Sequence, residues 1–218
     1  MFSGTELTFC KRVVDAVTAA MKAGHNQYPL MTGVPLLRER VAEKVDALHG
    51  VRYDAATEIT ITSGATQGIL SAILAVVRPG DEAIVLEPCY DSYIPNIELA
   101  GGVAVPVRLK TGTFEPDFDA IAPAITPKTR AIIVNTPHNP SGRAWSRAQW
   151  DTLAEIIAPH DIWLISDEVY EHMVFDGAPH ESAARVPLLR ERAFVISSFG
   201  KTFHVTGWKI GTVCAPAA

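Results

Sequence analysis

The chemistry of Lys201 has to be decided first. It stands in SSFGKTFHVTGWKIG, running from Ser197 to Gly211, where Gly200, Lys201 and Thr202 spell the GKT that closes a nucleotide-binding P-loop. A P-loop uses lysine as a fixed charge on phosphate and needs G-x-x-x-x-G-K-[ST], so that successive backbone N–H groups wrap the anion. Counting five back from Gly200 reaches Val195, inside AFVISS. Without a glycine there the loop cannot make its tight turn. The alternative is an amine that bonds covalently to a carbonyl carbon, and that chemistry needs partners from elsewhere in the chain.

Candidate partners exist, each with an ordinary explanation beside the chemical one. Ser63-Gly64-Ala65-Thr66-Gln67 sits where a strand turns into a helix. Small residues there open the helix N-terminal N–H groups to an anion, yet for this motif alone plain N-capping by Ser63 or Thr66 is the favoured explanation. Asp167 ends an apolar strand, where an unpaired carboxylate is costly to bury. Its cation is either a distant arginine or a ligand. Tyr90, in PCYDSY, suits stacking on a flat ligand or a place in the core. Asn139 lies in HNPSG, a turn that Pro137, Pro140 and Gly142 already account for. A metal centre is not expected, because His180-Glu181 begins HESAA without the second histidine of H-E-x-x-H, and no cysteine pair has zinc spacing.

These residues need a scaffold that brings them together. Apolar, β-branched runs recur at 58–64, 82–88, 102–109, 130–137, 162–168, 193–198 and 209–216. Near-continuous hydrophobicity of this kind marks strands buried on both faces. Helical patterns lie between them, at 66–77 and 146–160, and LLRERVAEKVDALHG precedes the first strand, closed by Gly50. The expected fold is therefore α/β, a mostly parallel sheet of about seven strands with helices on both faces. The last two strands are too close for a helical crossover, so the seventh should run antiparallel or lie apart. Ligands of such sheets bind beyond the strands' carboxyl ends, where SGATQ, PCYDSY, NTPHNPSG, SDEVY and SSFGK all fall.

Composition limits the partners. The 218 residues suit one large α/β domain or two small ones, and a formal charge of −5 gives no basic footprint for nucleic acid. Three scattered cysteines, Cys10, Cys89 and Cys214, make a disulfide scaffold unexpected and fit a reducing cytoplasm. No apolar run reaches membrane-spanning length, and the first residues lack the layout of a secretory signal.

Taken jointly, an anion cradle, a stacking ring, a buried carboxylate and a lysine are what pyridoxal 5′-phosphate requires. Lysine forms a Schiff base with its aldehyde, and a carboxylate keeps its ring nitrogen protonated. The ordered series SGATQ, PCYDSY, NTPHNPSG, SDEVYEH and SSFGKTFHVTGWKIG, with QYPLMTGVPLLRERVA upstream, resembles the fold-type I, class I/II aminotransferases over residues 24–216. NQYPLMTG and SDEVYEHMVF look nearest to their methionine and kynurenine branch.

The resemblance implies roles. Lys201 is similar to the lysine that binds the cofactor and then shuttles a proton. Asp167 matches the partner of the ring nitrogen, Tyr170 and Asn139 the groups on the cofactor's 3′-oxygen, and Tyr90 the stacking ring. Ala65, Thr66, Ser198 and Lys209 match the phosphate ligands, with lysine at 209 where many members have arginine and its bidentate fork. Tyr28 resembles a tyrosine that reaches the phosphate from the other subunit, which implies a homodimer. The implied reaction passes an amino group from an L-amino acid, of methionine, aromatic or kynurenine-like type, to a 2-oxo acid. A carbon–sulfur β-lyase and a non-catalytic cofactor-binding or dimerisation module are the alternatives.

The family pattern continues into a small domain bearing the arginine for the substrate carboxylate, whereas this sequence stops at CAPAA. Residues 1–26 are expected to form an N-terminal helical segment and 27–218 the cofactor-binding large domain, with the small domain largely missing. The 218 residues alone are accordingly expected to turn over substrate poorly.

Overall fold

A computed structural model describes residues 4–217, with side chains from Lys11 onward. Along the chain the elements are α1 (Gly4–Lys22), α2 (Pro35–His49), β1 (Ile59–Ser63), α3 (Gly64–Val76), β2 (Glu82–Glu87), α4 (Tyr93–Leu99), β3 (Val103–Arg108) and α5 (Phe118–Ala124). They continue with β4 (Thr129–Asn135), α6 (Arg147–Ile157), β5 (Trp163–Asp167), α7 (Pro187–Arg190), β6 (Ala193–Ser198), α8 (Phe199–Thr202) and β7 (Ile210–Cys214). Each of the seven apolar runs is a strand.

The strands form one sheet in the order β1-β7-β6-β5-β4-β2-β3. All neighbours pair in parallel except β7, which runs antiparallel to both β6 and β1. Too few residues separate β6 from β7 for a crossover, so the chain returns directly. Central strands are buried throughout, as in Ala83–Leu86 and Ala131–Asn135. Pro106, which cannot donate to a ladder, sits in β3 at the sheet's edge.

Helices cover both faces. On one, Trp150, Leu153 and Ile157 of α6 pack over Ile84, Ile132 and Leu164. On the other, Ile69 and Ile73 of α3 with Tyr93 and Ile97 of α4 pack over Val85, Ile133, Ile165 and Ile196. Val41 of α2 joins Tyr53 over Ile59 and Cys214, extending the α6 face across β1 and β7. Local signals set the helix ends. Ser146 and Gln149 make a reciprocal capping box on α6, and Gly50 ends α2 in the left-handed conformation, its N–H donating to Asp46.

α1 lies within the expected helical segment, of which residues 1–3 lie outside the described residues, as does residue 218. From Lys11 to Lys22 its side chains are exposed or half-buried. No helix among the described residues is long and apolar enough to cross a membrane. Cys89 and Cys214 are free thiols.

Candidate active site

One cavity opens beyond the carboxyl ends of the parallel strands, with about 640 Å³ of empty space including its open mouth. Ala65, Thr66, Tyr90, Asn139, Asp167, Tyr170, Ser198, Lys201 and Lys209 all line it. Nine of the ten residues singled out from the sequence thus meet in one place, although their segments span most of the chain. Tyr28 is the exception: it is 99% exposed on the segment leading into α2 and does not line the cavity.

At one end of the cavity is the start of α3. Neither Ser63 nor any other side chain caps it; the Ser63 N–H instead donates to Gln67 Oε1 at 2.5 Å, and Thr62 donates to the Gly64 carbonyl. The capping explanation for SGATQ therefore does not describe this helix, whose first N–H groups remain available to an anion. Lys209 reaches the same spot. A Cβ added at Gly64 would stand 3.4 Å from Lys209 Nζ, so glycine here leaves room for the ammonium. Gly211 is needed just as closely, because its added Cβ would meet the Ala65 nitrogen at 2.5 Å. Lys209 itself holds φ of +54°, a left-handed conformation costly for a residue with a side chain.

At the other end lies Asp167, 4% exposed. Burial pushes its carboxyl up to about 6, against the hydrogen bonds from the Tyr93 hydroxyl and the Val169 N–H that hold it down. The Tyr93 bond is short, 2.5 Å to Oδ2. Burial, together with the Asp167 charge, also raises Tyr93 well above its ordinary range, so it stays a donor. A carboxyl displaced upward in this way is poised to accept a cationic N–H. Tyr90 stands 39% exposed at the cavity wall, edge-on to Tyr93 with ring centroids 5.8 Å apart. Lys201, on the single turn α8, is exposed, its Nζ 5.6 Å from the centre of the Tyr170 ring.

The loops are fastened to one another beneath these groups. Asn135 donates to the Asp167 carbonyl at 3.0 Å and accepts from the Asn139 N–H at 2.7 Å. His138 lies 2.7 Å from the Pro88 carbonyl through Nε2 and 2.7 Å from Ser141 Oγ through Nδ1. The carbonyl can only accept, so Nε2 carries the proton and Nδ1 accepts. Burial lowers the His138 pKa, consistent with that neutral ring. The Tyr90 and Asn139 loops are thereby joined.

Sequence reasoning missed Tyr93 and Asn135, along with Ile69, Val169 and Thr206 of the cavity wall. Tyr93 stands within the same PCYDSY that singled out Tyr90. The signal available was Asp167 itself, a buried carboxylate that requires a donor.

The arrangement is that of a mostly parallel α/β domain whose strand ends gather a lysine amine, a buried carboxyl and an uncapped helix start on one cavity. The model of the family "Aminotransferase class I and II" matches residues 3–218. Methionine aminotransferase of Escherichia coli (strain K12) is 49% identical over 194 residues, 89% of this chain and 50% of the relative. A probable N-succinyldiaminopimelate aminotransferase, DapC, of Mycobacterium tuberculosis (strain ATCC 25618 / H37Rv) is 43% identical over 208 residues, 94% of this chain and 52% of the relative. The crystal structure of YbdL from Escherichia coli, described as having a methionine aminotransferase function, superposes with a TM-score of 0.91 at 47% identity, over 93% of this chain and 54% of that one. The chain belongs to the class I and II aminotransferases, with the fold of their large domain, and spans about half the length of the relatives it matches. Members of this family depend on pyridoxal phosphate.

The cavity fits that cofactor on its own terms. An uncapped helix start beside an ammonium suits a phosphate, and a buried carboxyl short of a cation suits a protonated ring nitrogen. The lysine suits an aldehyde.

Proposed function

We propose that this chain is the cofactor-binding part of an aminotransferase that passes the amino group of an L-amino acid to a 2-oxo acid. The observation that carries the reading is the convergence of Lys201, Asp167 and the α3 start with Lys209 on one cavity. When bound there, pyridoxal phosphate supplies an aldehyde and an electron-accepting ring that stabilises charge developing at the substrate's α-carbon.

The chain's residues do the rest. The α3 N–H groups at Ala65 and Thr66, Ser198 and Lys209 would hold the phosphate. The Tyr90 ring would lie along the cofactor's face, Asn139 and Tyr170 would donate to its 3′-oxygen, and Asp167 would accept a hydrogen bond from its protonated ring nitrogen. Lys201 Nζ would hold the cofactor through its aldehyde carbon, with water leaving, and would move a proton at the substrate's α-carbon.

Amino acids with apolar or thioether side chains are the favoured donors, a reading supported by the 49% identity to a methionine aminotransferase. The active unit is a homodimer in which Tyr28 reaches the partner's phosphate site. Its support is the arm before α2, where Tyr28 and Met31 are almost fully exposed and Leu30 is 60% exposed, apolar surface suited to a second copy. The free thiols fit a reducing cytoplasm.

Borohydride reduction in the presence of pyridoxal phosphate, followed by peptide mapping, tests the reading. A pyridoxyl adduct on Lys201 is expected. An adduct on another lysine, or none on folded protein, overturns it.

A further inference from the structure

Behind the cavity, the segment that carries Asp167 and Tyr170 presents a second set of carboxylates. Asp167 and Tyr170 line the cofactor cavity, whereas Glu168 and Glu171 line a separate small chamber between the sheet and α2. Both glutamates are buried, at 1% and 7% exposure, a placement that is costly unless partners surround the charge.

Each has partners from distant elements. Glu168 accepts from Ser166 Oγ at 2.8 Å and from the Ala183 N–H at 3.0 Å, and pairs with His180 at 2.7 Å. Glu171 Oε1 accepts from Lys44 of α2 at 2.5 Å and from the Ser197 hydroxyl of β6, with His49 Nε2 3.8 Å from its other oxygen. Burial alone would raise the Glu171 carboxyl, but His49, Lys44 and Ser197 together hold it at about 2, so it is ionised at neutral pH.

The neighbours of these contacts matter more than the contacts themselves. Tyr170 precedes Glu171, and Ser198 follows Ser197; both line the cofactor cavity. Lys201 lies one turn beyond Ser198, whose carbonyl accepts from Thr202 at 3.1 Å. A single carboxylate therefore joins the segment after β5 to the end of β6 on the far side from the cofactor, with Lys44 anchoring the joint to α2.

We propose that Glu171 is a positioning residue for the cofactor site, setting the separation of Tyr170 from Ser198 and Lys201 through its bonds to Ser197 and Lys44. The inference rests on the pyridoxal phosphate reading of the cavity. Glutamine at 171 keeps an oxygen that can accept from the Ser197 hydroxyl and Lys44 but loses the charge that pairs with Lys44, so it serves better than alanine and less well than glutamate.

The test uses Ser197→Ala, Glu171→Ala and Glu171→Gln, with pyridoxal phosphate affinity and the pH midpoint of the bound chromophore's absorbance as readouts. Ser197→Ala and Glu171→Ala should weaken binding by roughly tenfold or more, the usual penalty for removing a group that orients a ligating one. They should also displace the midpoint. Glu171→Gln should bind more tightly than Glu171→Ala and recover part of the midpoint shift, the remainder reflecting the lost pair with Lys44. Thermal melts establish that each variant is folded, and if Glu171→Ala is not, the smaller change at Ser197 decides. Parent-like affinity and midpoint in Ser197→Ala overturn the inference, as does a Gln variant as impaired as the Ala one. A parent protein that takes no adduct on Lys201 instead defeats the cofactor reading, and this inference with it.

Discussion

Replacing Asp167 with asparagine should stabilise the cofactor-free protein at neutral pH while weakening its hold on the cofactor. The Asp167 carboxyl sits at about 6 in the fold, with burial the main cause, against an ordinary value of 3.8. At about 1.4 kcal/mol per pH unit, that gap of about two units corresponds to about 3 kcal/mol. The folded chain keeps its proton to a higher pH than the unfolded chain. Between about pH 4 and pH 6 the native state therefore binds more protons, and stability falls as pH rises through that window. Below it both states are protonated, and above it the full loss is present.

Asparagine does not titrate and removes this slope. Its carboxamide oxygen can still accept from Tyr93, while its N–H₂ cannot accept the 3.3 Å bond from the Val169 N–H. That loss is about 1 kcal/mol and independent of pH. Asp167→Asn should thus be slightly less stable than the parent near pH 4 and about 2 kcal/mol more stable at pH 7.5. Glu171 and His180 also shift on folding, but they are common to both proteins and cancel in the difference. Urea titrations at several pH values measure the two curves. Parallel curves would refute the argument that Asp167 carries a desolvation cost in the empty site. Adding pyridoxal phosphate should reverse the order, because only the carboxylate gains a cationic partner and the tighter complex is stabilised more.

Two further outcomes follow from the phosphate end. Lys209→Ala should weaken pyridoxal phosphate by about 10- to 100-fold, the worth of a charge-assisted hydrogen bond, and leave phosphate-free pyridoxal unaffected in equilibrium titrations; an equal loss for both ligands would place Lys209 elsewhere. Gly211→Ala brings a Cβ to 2.5 Å from backbone atoms of Gly64 and Ala65, which cannot swing aside. A destabilisation of about 1–3 kcal/mol is expected in urea unfolding, and an unchanged midpoint would show that β7 and α3 part without cost.

The strands were legible because burial on both faces demands runs such as AIVL and AIIV, which few other structures tolerate. Four short helices were not: α4, α5, α7 and α8. α4 and α5 are seven residues each and contain Pro95 and Pro123, so they show neither length nor period. They exist through packing, since Tyr93, Ile97 and Ile121 are fully or nearly fully buried. The same division holds at the site. Lys201, Asp167 and Asn139 stand in motifs whose order along the chain resembles the family's, although each residue type had an ordinary explanation alone. Tyr93 and Glu171 act through partners 74 and 26 residues away, a pairing that only the folded sheet creates.

The one antiparallel strand shows how topology makes a site that local sequence does not. In a wholly parallel sheet every strand would bring its end to the cavity and its start to the far edge. β7 runs backwards, so its start arrives beside the ends of β1 and β6: Ile210 lies opposite Ser63, and Gly211 opposite Ser198. This register sets Lys209 next to the first turn of α3 and sets Ser198 beside both. The return comprises residues 199–209, long enough to reverse the chain and too short to leave the cavity's edge, and it sets Lys201 and Lys209 eight positions apart. The spacing between Lys201 and Lys209 on the cavity wall is thus a consequence of strand direction. A longer insertion between β6 and β7 would keep both residue types and lose their juxtaposition.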